Sequence, residues 1–207
     1  MIRAIPLGLL LCLCGAARAD EGQGWKTVRD KDGFQFATRH VGFSKVDEVR
    51  AVSTVAYPID RVAAVLSDVE HYPNNMPPTE LVRRLRGDAQ DGTYYVELKP
   101  PMCSRRYYCV RYQVQRDSAT QVRVVWSTHN DSCPARAGGP LRMDDNAGSW
   151  TLTALDAGHT RVIYQAHVDP GGSLPASFVN WGTPNAISDL FAALRKATQS
   201  QMVTARN

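Results

Sequence analysis

The stretch Asp169-Pro170-Gly171-Gly172-Ser173-Leu174-Pro175 marks the point at which this chain of 207 residues changes its pattern. A Pro-Gly pair suits a turn that needs a positive φ after the proline, and the turn ends a series of predicted strands. Beyond it, four residues at helical spacing form one apolar stripe: Ile187, Leu190, Phe191 and Leu194. The pattern predicts a short helical piece over 174–180, an interruption at 181–182, and a second helix capped by Thr183.

The segments before that turn are almost all typical of β-strands. Most are separated by Gly, Pro, Asp or Asn, residues that interrupt regular structure. The predicted strands are 34–41, 46–57, 80–86, 93–99, 105–116, 121–128, 148–155 and 160–168.

One segment in this series has a helical period instead. Apolar residues recur over 58–69 at helical spacing, Pro58 suits the first turn, and Tyr72-Pro73 ends the helix. The order is therefore a strand pair, a helix, a run of antiparallel strands and a long C-terminal helix. This order predicts an α+β fold in which a curved antiparallel sheet is covered by the C-terminal helix, with room for unfilled volume between them.

The N-terminus has the features of a secretory signal peptide. Arg3 precedes an apolar run over 5–15, and Ala17-Arg18-Ala19 is a small-x-small cleavage site. A lipoprotein acylated at Cys12 or Cys14 is the rival interpretation, which the leucine before each cysteine disfavours. We expect an exported, periplasmic or secreted protein with a leader over 1–19, an N-terminal lead and first strand over 20–45, a ligand-binding domain over 46–203 and a tail over 204–207.

Composition excludes several classes of function. The formal net charge is only +4 and falls when Arg3 and Arg18 leave with the leader, so no nucleic-acid partner is expected. No second apolar stretch is long enough to span a bilayer. The five histidines lack metal-ligand spacing, and neither a Gly-rich phosphate loop nor a serine-nucleophile elbow occurs. We therefore expect no metal, no cofactor and no catalytic residue.

Three cysteines lie beyond the leader: Cys103, Cys109 and Cys133. The first two are on one predicted strand, separated by roughly 20 Å at ~3.3 Å per residue, so they cannot bond to each other. A hairpin turn at 117–120 sets Cys103 opposite Cys133 and Cys109 opposite Thr128. The sequence predicts a Cys103–Cys133 disulfide and a free Cys109.

Five motifs resemble one known family. They are Tyr57-Pro58-Ile59-Asp60-Arg61-Val62, Tyr72-Pro73-Asn74, Ser104-Arg105-Arg106-Tyr107-Tyr108, Gly139-Pro140-Leu141-Arg142 and the stretch over 169–175. Together they resemble the START family of lipid-transfer domains, within the helix-grip superfamily that includes Bet v-type allergens and polyketide cyclases. The resemblance covers about 43–197. The chain departs from it at Arg106, where the family commonly has an aspartate.

The resemblance implies an apolar tunnel for one lipid between the sheet and the closing helix. In the sterol-binding branch a Glu and an Arg lie in the tunnel as a pair, and by position these are Glu97 and Arg111. Alternation along the strands indicates instead that Glu97 and Arg111 face outward. The apolar residues Tyr94 and Val96, and likewise Tyr108 and Tyr112, lie on the opposite face of their strands and would point inward. A surface ion pair is therefore the alternative for Glu97 and Arg111.

The predicted function is the binding, and possible transport, of a lipid or other apolar molecule, without catalysis. The expected ligand contacts are Glu97, Arg111, Arg105, Tyr107, Trp126, Ile187, Phe191 and Leu194. A monomer that contacts membranes transiently is expected. Two alternatives remain: a cyclase-like or hydrolase-like cavity enzyme, and an interaction module whose cavity has collapsed.

Overall fold

The structure, a computed structural model, describes residues 24–101, 103–135, 138–143 and 145–204. The predicted leader over 1–19 lies outside the described residues, and so does the predicted tail except Thr204. The strands are β1 (Lys26–Lys31), β2 (Phe34–Arg39), β3 (Glu48–Val55), β4 (Thr79–Gly87), β5 (Asp91–Leu98), β6 (Arg106–Ser118), β7 (Gln121–Thr128), β8 (Leu141–Arg142), β9 (Asp145–Ala154) and β10 (Thr160–Asp169). The helices are α1 (Ile59–Ser67), α2 (Tyr72–Asn75) and α3 (Ala176–Thr204).

All ten strands form one curved sheet, in the order β1-β2-β3-β10-β9-β7-β6-β5-β4. The neighbours in this order pair antiparallel, whereas β8 pairs parallel with the start of β6. Successive side chains of a strand point to opposite faces, so each strand contributes alternate residues to an inner, buried face. The predicted α+β fold, with a curved antiparallel sheet and a long C-terminal helix, is confirmed.

The N-terminal part contributes one more strand than predicted. β1 has a polar sequence, and five of its six residues are exposed, so its alternation gave no signal. In the part of the chain that the structure describes, it is an edge strand paired with β2 alone, and this position explains how it tolerates a polar sequence.

Helix α1 forms where the period of 58–69 predicted it, although its last turn differs. Val62 and Leu66 are fully buried on the face turned to the core, and a 3₁₀ turn replaces the helix at Val69–His71. The short α2 follows directly. The Tyr72 hydroxyl donates to the Leu66 carbonyl at 2.6 Å, so the chain folds back against α1 at this point.

Helix α3 is one continuous element, which corrects the prediction of two pieces. Thr183 lies inside the helix, where its hydroxyl donates to the Val179 carbonyl at 2.6 Å instead of capping a new helix. Pro184 is accommodated within the helix, at the cost of the hydrogen bond that its missing N–H would have made. In the part of the chain that the structure describes, no helix is both long and apolar enough to cross a membrane.

The disulfide joins Cys109 to Cys133, so the predicted Cys103–Cys133 bond is wrong and Cys103 is the free cysteine. The prediction continued β7 in a straight line to Cys133. In the structure β7 ends at Thr128, and a 3₁₀ turn at Asn130–Ser132 reverses the chain. This reversal brings the Cα atoms of Cys109 and Cys133 to 5.4 Å, within the range for a disulfide.

Candidate ligand-binding cavity

A cavity of about 270 Å³ lies between the inner face of the sheet and helix α3. The sheet and the residues that flank β3 and β10 supply one wall, formed by Val46, Asp47, Val49, Leu98, Tyr108, Tyr112, Trp126, Asn146, Trp150, Tyr164, Ala166, Val168 and Pro170. Helix α2 and the segment after it supply Tyr72, Met76, Pro77, Pro78 and Thr79, and α3 supplies Val179, Thr183, Ala186, Ile187 and Leu190. Aromatic and aliphatic side chains predominate, as they do in most pockets for apolar ligands.

Five aromatic rings form a continuous row along the cavity wall. Tyr72 meets Tyr112 edge-to-face at 6.2 Å between centroids, and Tyr112 stacks on Trp126 at 5.7 Å. Trp126 stacks in turn on Tyr164 at 5.7 Å, and Tyr164 packs against Trp150 at 4.6 Å. Such pairs stabilise each other beyond the area that they bury. The row therefore holds the wall of the cavity in place.

Strand register explains why these rings meet. Tyr112 lies directly opposite Trp126 in the β6–β7 pairing, and Trp150 lies opposite Tyr164 in the β9–β10 pairing. Gly148 lies opposite Trp126 on β9. A Cβ atom at Gly148 would lie 2.7 Å from Cζ2 of Trp126, so the absence of a side chain at this position makes the room that the indole occupies.

The cavity has a small polar group within its aromatic wall. The Oδ1 atom of Asn146 accepts a hydrogen bond from the Trp126 indole N–H at 3.0 Å, and both side chains are buried. Burial raises the pKa of the neighbouring Tyr108, although a hydrogen bond with Asn146 opposes the shift. Tyr108 is therefore a neutral phenol beside a neutral amide.

The other tyrosines of the wall are neutral as well. Burial raises the pKa of Tyr72, Tyr112 and Tyr164 far above the ordinary value, and neighbouring tyrosines raise each of them further. At physiological pH these hydroxyls therefore act only as hydrogen-bond donors and acceptors. The arrangement suits a ligand that is largely apolar and carries few neutral polar atoms.

Two of the sequence-predicted contact residues line the cavity: Trp126 and Ile187. The predicted Phe191 and Leu194 are fully buried and belong to the core beneath α3 rather than to the cavity wall. Phe191 packs on Phe34 at 5.4 Å and on Trp150 at 5.5 Å between ring centroids. It supports the wall from behind.

The predicted pair of Glu97 with Arg111 does not form. The β5–β6 register is regular and places Glu97 opposite Tyr107 and Thr93 opposite Arg111. Arg111 lies on the outer face, where its guanidinium donates to both carboxylate oxygens of Asp91 at 2.8 and 2.6 Å. Because no bulge interrupts this pairing, the alternation of the strands decides the orientation.

Arg105 and Tyr107 also lie away from the cavity. The Arg105 guanidinium donates to Glu80 at 2.6 Å in an exposed ion pair. The Tyr107 ring packs on Tyr95 at 5.8 Å, and the Tyr95 hydroxyl donates to Glu97 at 2.5 Å. Glu97, Tyr107 and Arg111 thus lie on the outer face of β5 and β6, and Arg105 directly precedes β6.

Sequence reasoning missed most of the cavity wall. Tyr108, Tyr112, Tyr164, Trp150 and Asn146 line it and were not among the expected contacts. Alternation along β6 gave a usable signal for the first two, because they occupy the parity opposite to Arg111. For Asn146 no signal exists, since its place depends on the neighbouring strand.

Arg106 has a structural role that its place in the motif did not reveal. It is buried, and its guanidinium donates to the carbonyls of Pro170 and Ser104, both at 2.7 Å. The bond to Pro170 joins the start of β6 to the turn that precedes α3, and the bond to Ser104 fixes the segment just before β6. Arg106 therefore positions the segment from which the closing helix begins.

Comparison with known proteins agrees with this architecture. Residues 55–195 match a family model described as polyketide cyclase / dehydrase and lipid transport. The chain belongs to this family. The predicted membership of the START-like, helix-grip group is confirmed.

Several solved structures share this fold. A StAR-related lipid transfer protein from Xanthomonas axonopodis is 26% identical, with a TM-score of 0.76 over 85% of this chain and 99% of that one. Human StAR-related lipid transfer protein 5 is 18% identical, with a TM-score of 0.75 over 88% and 90%. The Zhui aromatase/cyclase from Streptomyces sp. R1128 is 18% identical, with a TM-score of 0.55 over 74% and 92%. At these identities the last two show the fold alone.

Proposed function

We propose that this protein binds one apolar molecule in its cavity and carries it, without catalysis, outside the cytoplasm. The observation that carries the proposal is the aromatic-lined cavity beneath α3. Its volume of about 270 Å³ is close to the lower end of the range for small-molecule sites, ~300–1,000 Å³. The family to which the chain belongs includes lipid transport in its description.

The hydrophobic effect supplies the driving force for binding. Removing apolar ligand surface from water contributes about 25 cal/mol per Å², before the losses of freedom that accompany association. The hydroxyls of Tyr108, Tyr112 and Tyr164 are available to orient a neutral polar atom of the ligand. Affinity therefore comes from area, and orientation from the tyrosines.

Loading requires the N-terminal half of α3 to move. Among the described side chains of this half, two make polar contacts with the rest of the protein: Asn180 accepts from the Asp47 N–H at 3.2 Å, and Asn185 accepts from Arg29 at 3.1 Å. Pro184 removes one hydrogen bond from the helix between them.

The C-terminal half of α3 is held more firmly. Phe191 and Leu194 are fully buried, and Arg195 donates to the Ser53 hydroxyl on β3 at 2.6 Å. We therefore place the gate at the N-terminal half of α3 and the hinge where this half meets the firmly held part that begins at Phe191.

Two observations support action outside the cytoplasm. The first is the N-terminal pattern over 1–19, which is typical of a cleaved leader. The second is the Cys109–Cys133 disulfide, since structural disulfides persist mainly in oxidising compartments.

Transient contact with a membrane is part of the proposal. Phe43 is 77% exposed, and it lies in the loop that leads into the cavity-lining residues Val46 and Asp47. An exposed aromatic ring beside the gate suits insertion into the interfacial region of a bilayer. Such contact would shorten the path of an apolar ligand through water.

The arrangement of charges favours binding over catalysis. A cavity enzyme needs an acid or base that reaches the substrate. Glu97, Arg105 and Arg111 do not line the cavity, and among the described residues that line it Asp47 is the one carboxylate. Because an aromatase/cyclase shares the fold, turnover of a polyketide-like substrate that is abolished by Asp47→Asn would favour the enzymatic alternative.

The test of the proposed function begins with the purified protein. Extraction with organic solvent followed by mass spectrometry should recover a single class of apolar molecule in near one-to-one ratio. Repeated extracts without such a molecule, together with no uptake of radiolabelled lipids, would overturn the proposal.

A matched pair of variants on α3 sharpens this test. Both Ala186 and Ala192 are exposed on α3, but Ala186 lines the cavity and Ala192 does not. We expect Ala186→Trp to reduce the amount of bound ligand at least fivefold, because the indole occupies the cavity, while Ala192→Trp leaves it unchanged. Equal ligand content in the two variants would place the ligand elsewhere.

A further inference from the structure

We propose that the ligand is a single-chain amphiphile whose anionic head lies in a polar groove next to the cavity, between Lys99 and Lys196. The inference rests on the proposed function, since it assumes that the cavity takes an apolar chain. It adds the chemical class of the ligand and a second site that holds its head.

The groove is the larger of the two spaces, with a volume of about 660 Å³. It lies between α2, the start of β4, the end of β5 and the C-terminal part of α3. Its wall is formed by Pro73, Asn74, Asn75, Pro77, Pro78, Thr79, Glu80, Lys99, Ala193, Lys196, Ala197 and Ser200. Two amides, two hydroxyls, a carboxylate and two amines thus replace the aromatic rings of the cavity.

The groove and the cavity share one border. Pro77, Pro78 and Thr79 line both spaces. The backbone N–H of Lys99 donates to the carbonyl of Pro78 at 2.9 Å, which ties the position of Lys99 to this border. A molecule that lies across the border therefore has one end among aromatic rings and the other end beside an amine.

The charges of the groove favour an anion. Lys99 and Lys196 are exposed, and neither forms a salt bridge within the part of the chain that the structure describes. Glu80, the acidic residue of the same wall, is paired with Arg105 at 2.6 Å. Two cations thus remain for an anionic group, and a carboxylate and a phosphate share this chemistry.

The cavity itself cannot hold such a head. No lysine or arginine occurs among the described residues that line it. Burying an anion without a partner is so unfavourable that the group takes up a proton instead. A charged head must therefore remain outside, and the groove across the shared border is where this chain offers cations.

The volume of the cavity restricts the apolar part. About 270 Å³ corresponds to roughly nine water volumes at ~30 Å³ each, which is room for one alkyl chain of moderate length. Two acyl chains would require the wall to expand. A single-chain amphiphile is thus the class that both spaces fit together.

Two probes of equal chain length separate the head from the tail. Dodecanoate carries the anionic head, and dodecanol has the same carbon chain without the charge. Binding of each is measured through the fluorescence of the cavity tryptophans in the purified protein at low salt. We expect the Lys99→Gln, Lys196→Gln double variant to bind dodecanoate about three- to tenfold more weakly and dodecanol unchanged.

The matched control removes two lysines from the far edge of the sheet. Lys26 and Lys31 are exposed on β1, so the Lys26→Gln, Lys31→Gln variant has the same net charge but an intact groove. It should bind dodecanoate like the unmodified protein, and dodecyl phosphate should respond to the groove variant as dodecanoate does.

Each of the other outcomes overturns something specific. If dodecanoate binding is equal in the groove variant and the unmodified protein while dodecanol still binds, the head site is wrong and the carrier proposal stands. If the control variant loses as much affinity as the groove variant, the effect is general charge attraction and the head site is wrong. If neither probe binds the unmodified protein, the carrier proposal fails and this inference fails with it.

Discussion

The two faces of the same strands have different roles. On β6 the inward residues Tyr108 and Tyr112 are buried in the cavity wall, whereas Arg111 between them pairs with Asp91 in solvent. One residue of sequence thus separates a ligand-facing position from a surface position. Side chains of a strand alternate between its two faces. A pair of ligand contacts inferred from a distant relative therefore lines the cavity only when both positions lie on the inward face of this chain's strands. Here it does not.

The largest effect is expected from removing an aromatic ring on the inner face. Trp150→Ala deletes a buried ring that packs on Tyr164 and Phe191, so we expect the free energy of unfolding to fall by about 3–5 kcal/mol. Chemical denaturation measures the change. The control is Trp25→Ala, whose ring lies under the Arg39 guanidinium at the other end of the sheet and should cost about 0.5–1 kcal/mol. Equal losses in the two variants would contradict the comparison.

The inner face should also make the protein sensitive to alkali. Burial raises the folded-state pKa of Tyr72, Tyr108, Tyr112 and Tyr164, so the unfolded chain releases these protons first as the pH rises. Stability is then fully present below pH ~10, the unfolded value, and falls above it by up to ~1.4 kcal/mol per pH unit for each tyrosine.

A tyrosine-to-phenylalanine series tests this slope. Tyr112→Phe removes one of the inner hydroxyls. The unfolding free energy lost between pH 10 and pH 11 should therefore decrease by about the contribution of one tyrosine. A slope that is independent of Tyr112 would show that the inner tyrosines titrate as in the unfolded chain.

A smaller effect is expected at the glycine behind Trp126. In Gly148→Ala the new Cβ would lie 2.4 Å from the Gln165 carbonyl oxygen and 2.7 Å from the indole, so the strands must shift, at about 1–3 kcal/mol. Near-ultraviolet circular dichroism should report a changed tryptophan environment. Gly158→Ala is the control, since its Cβ would meet only Asp156 at 3.7 Å. Equal circular dichroism spectra and equal stability in the two variants would mean that the Trp126 indole does not need the space that Gly148 leaves.

The smallest effect is expected on the outer face. Arg111→Ala removes an exposed ion pair with Asp91, and such pairs contribute about 0–1 kcal/mol. Ligand affinity should stay within the error of the measurement, and Glu97→Gln should behave in the same way. A loss of ligand binding in either variant would restore the pair as a ligand contact and contradict the register described above.

The hydrophobic pattern of the sequence predicted the helices and strands whose formation depends on neighbouring residues. The helical period over 58–69 and the alternation along β6 and β7 identified elements whose apolar faces are regular. The Cys109–Cys133 disulfide escaped prediction because tertiary contacts set the turn before Cys133. The Asn130 side chain accepts from the Cys109 N–H at 3.0 Å and donates to the Met143 carbonyl at 2.8 Å, and neither partner is near it in sequence.

The cavity lies beyond what pattern can decide. Alternation shows which side chains face inward, but whether inward residues fill the space depends on their packing. Phe191 was expected to touch the ligand and instead packs into the core, while Asn146 entered the wall through its bond to Trp126. Whether a residue lines the cavity depends on how whole helices and strands are placed relative to one another. The sequence periods of two and 3.6 residues carry no information about that placement.

One measurement tests the central claim, that α3 closes over a space which accepts an apolar chain. A brominated alkane placed in the cavity would lie against Trp126 and Trp150 and quench their fluorescence by contact. If α3 closes over such a space, quenching should saturate at one alkane per protein and be reversed by an unbrominated alkane of equal length. Quenching that rises linearly without saturation, with no competition, would contradict it, because the tryptophans would then meet only alkane that collides from solvent.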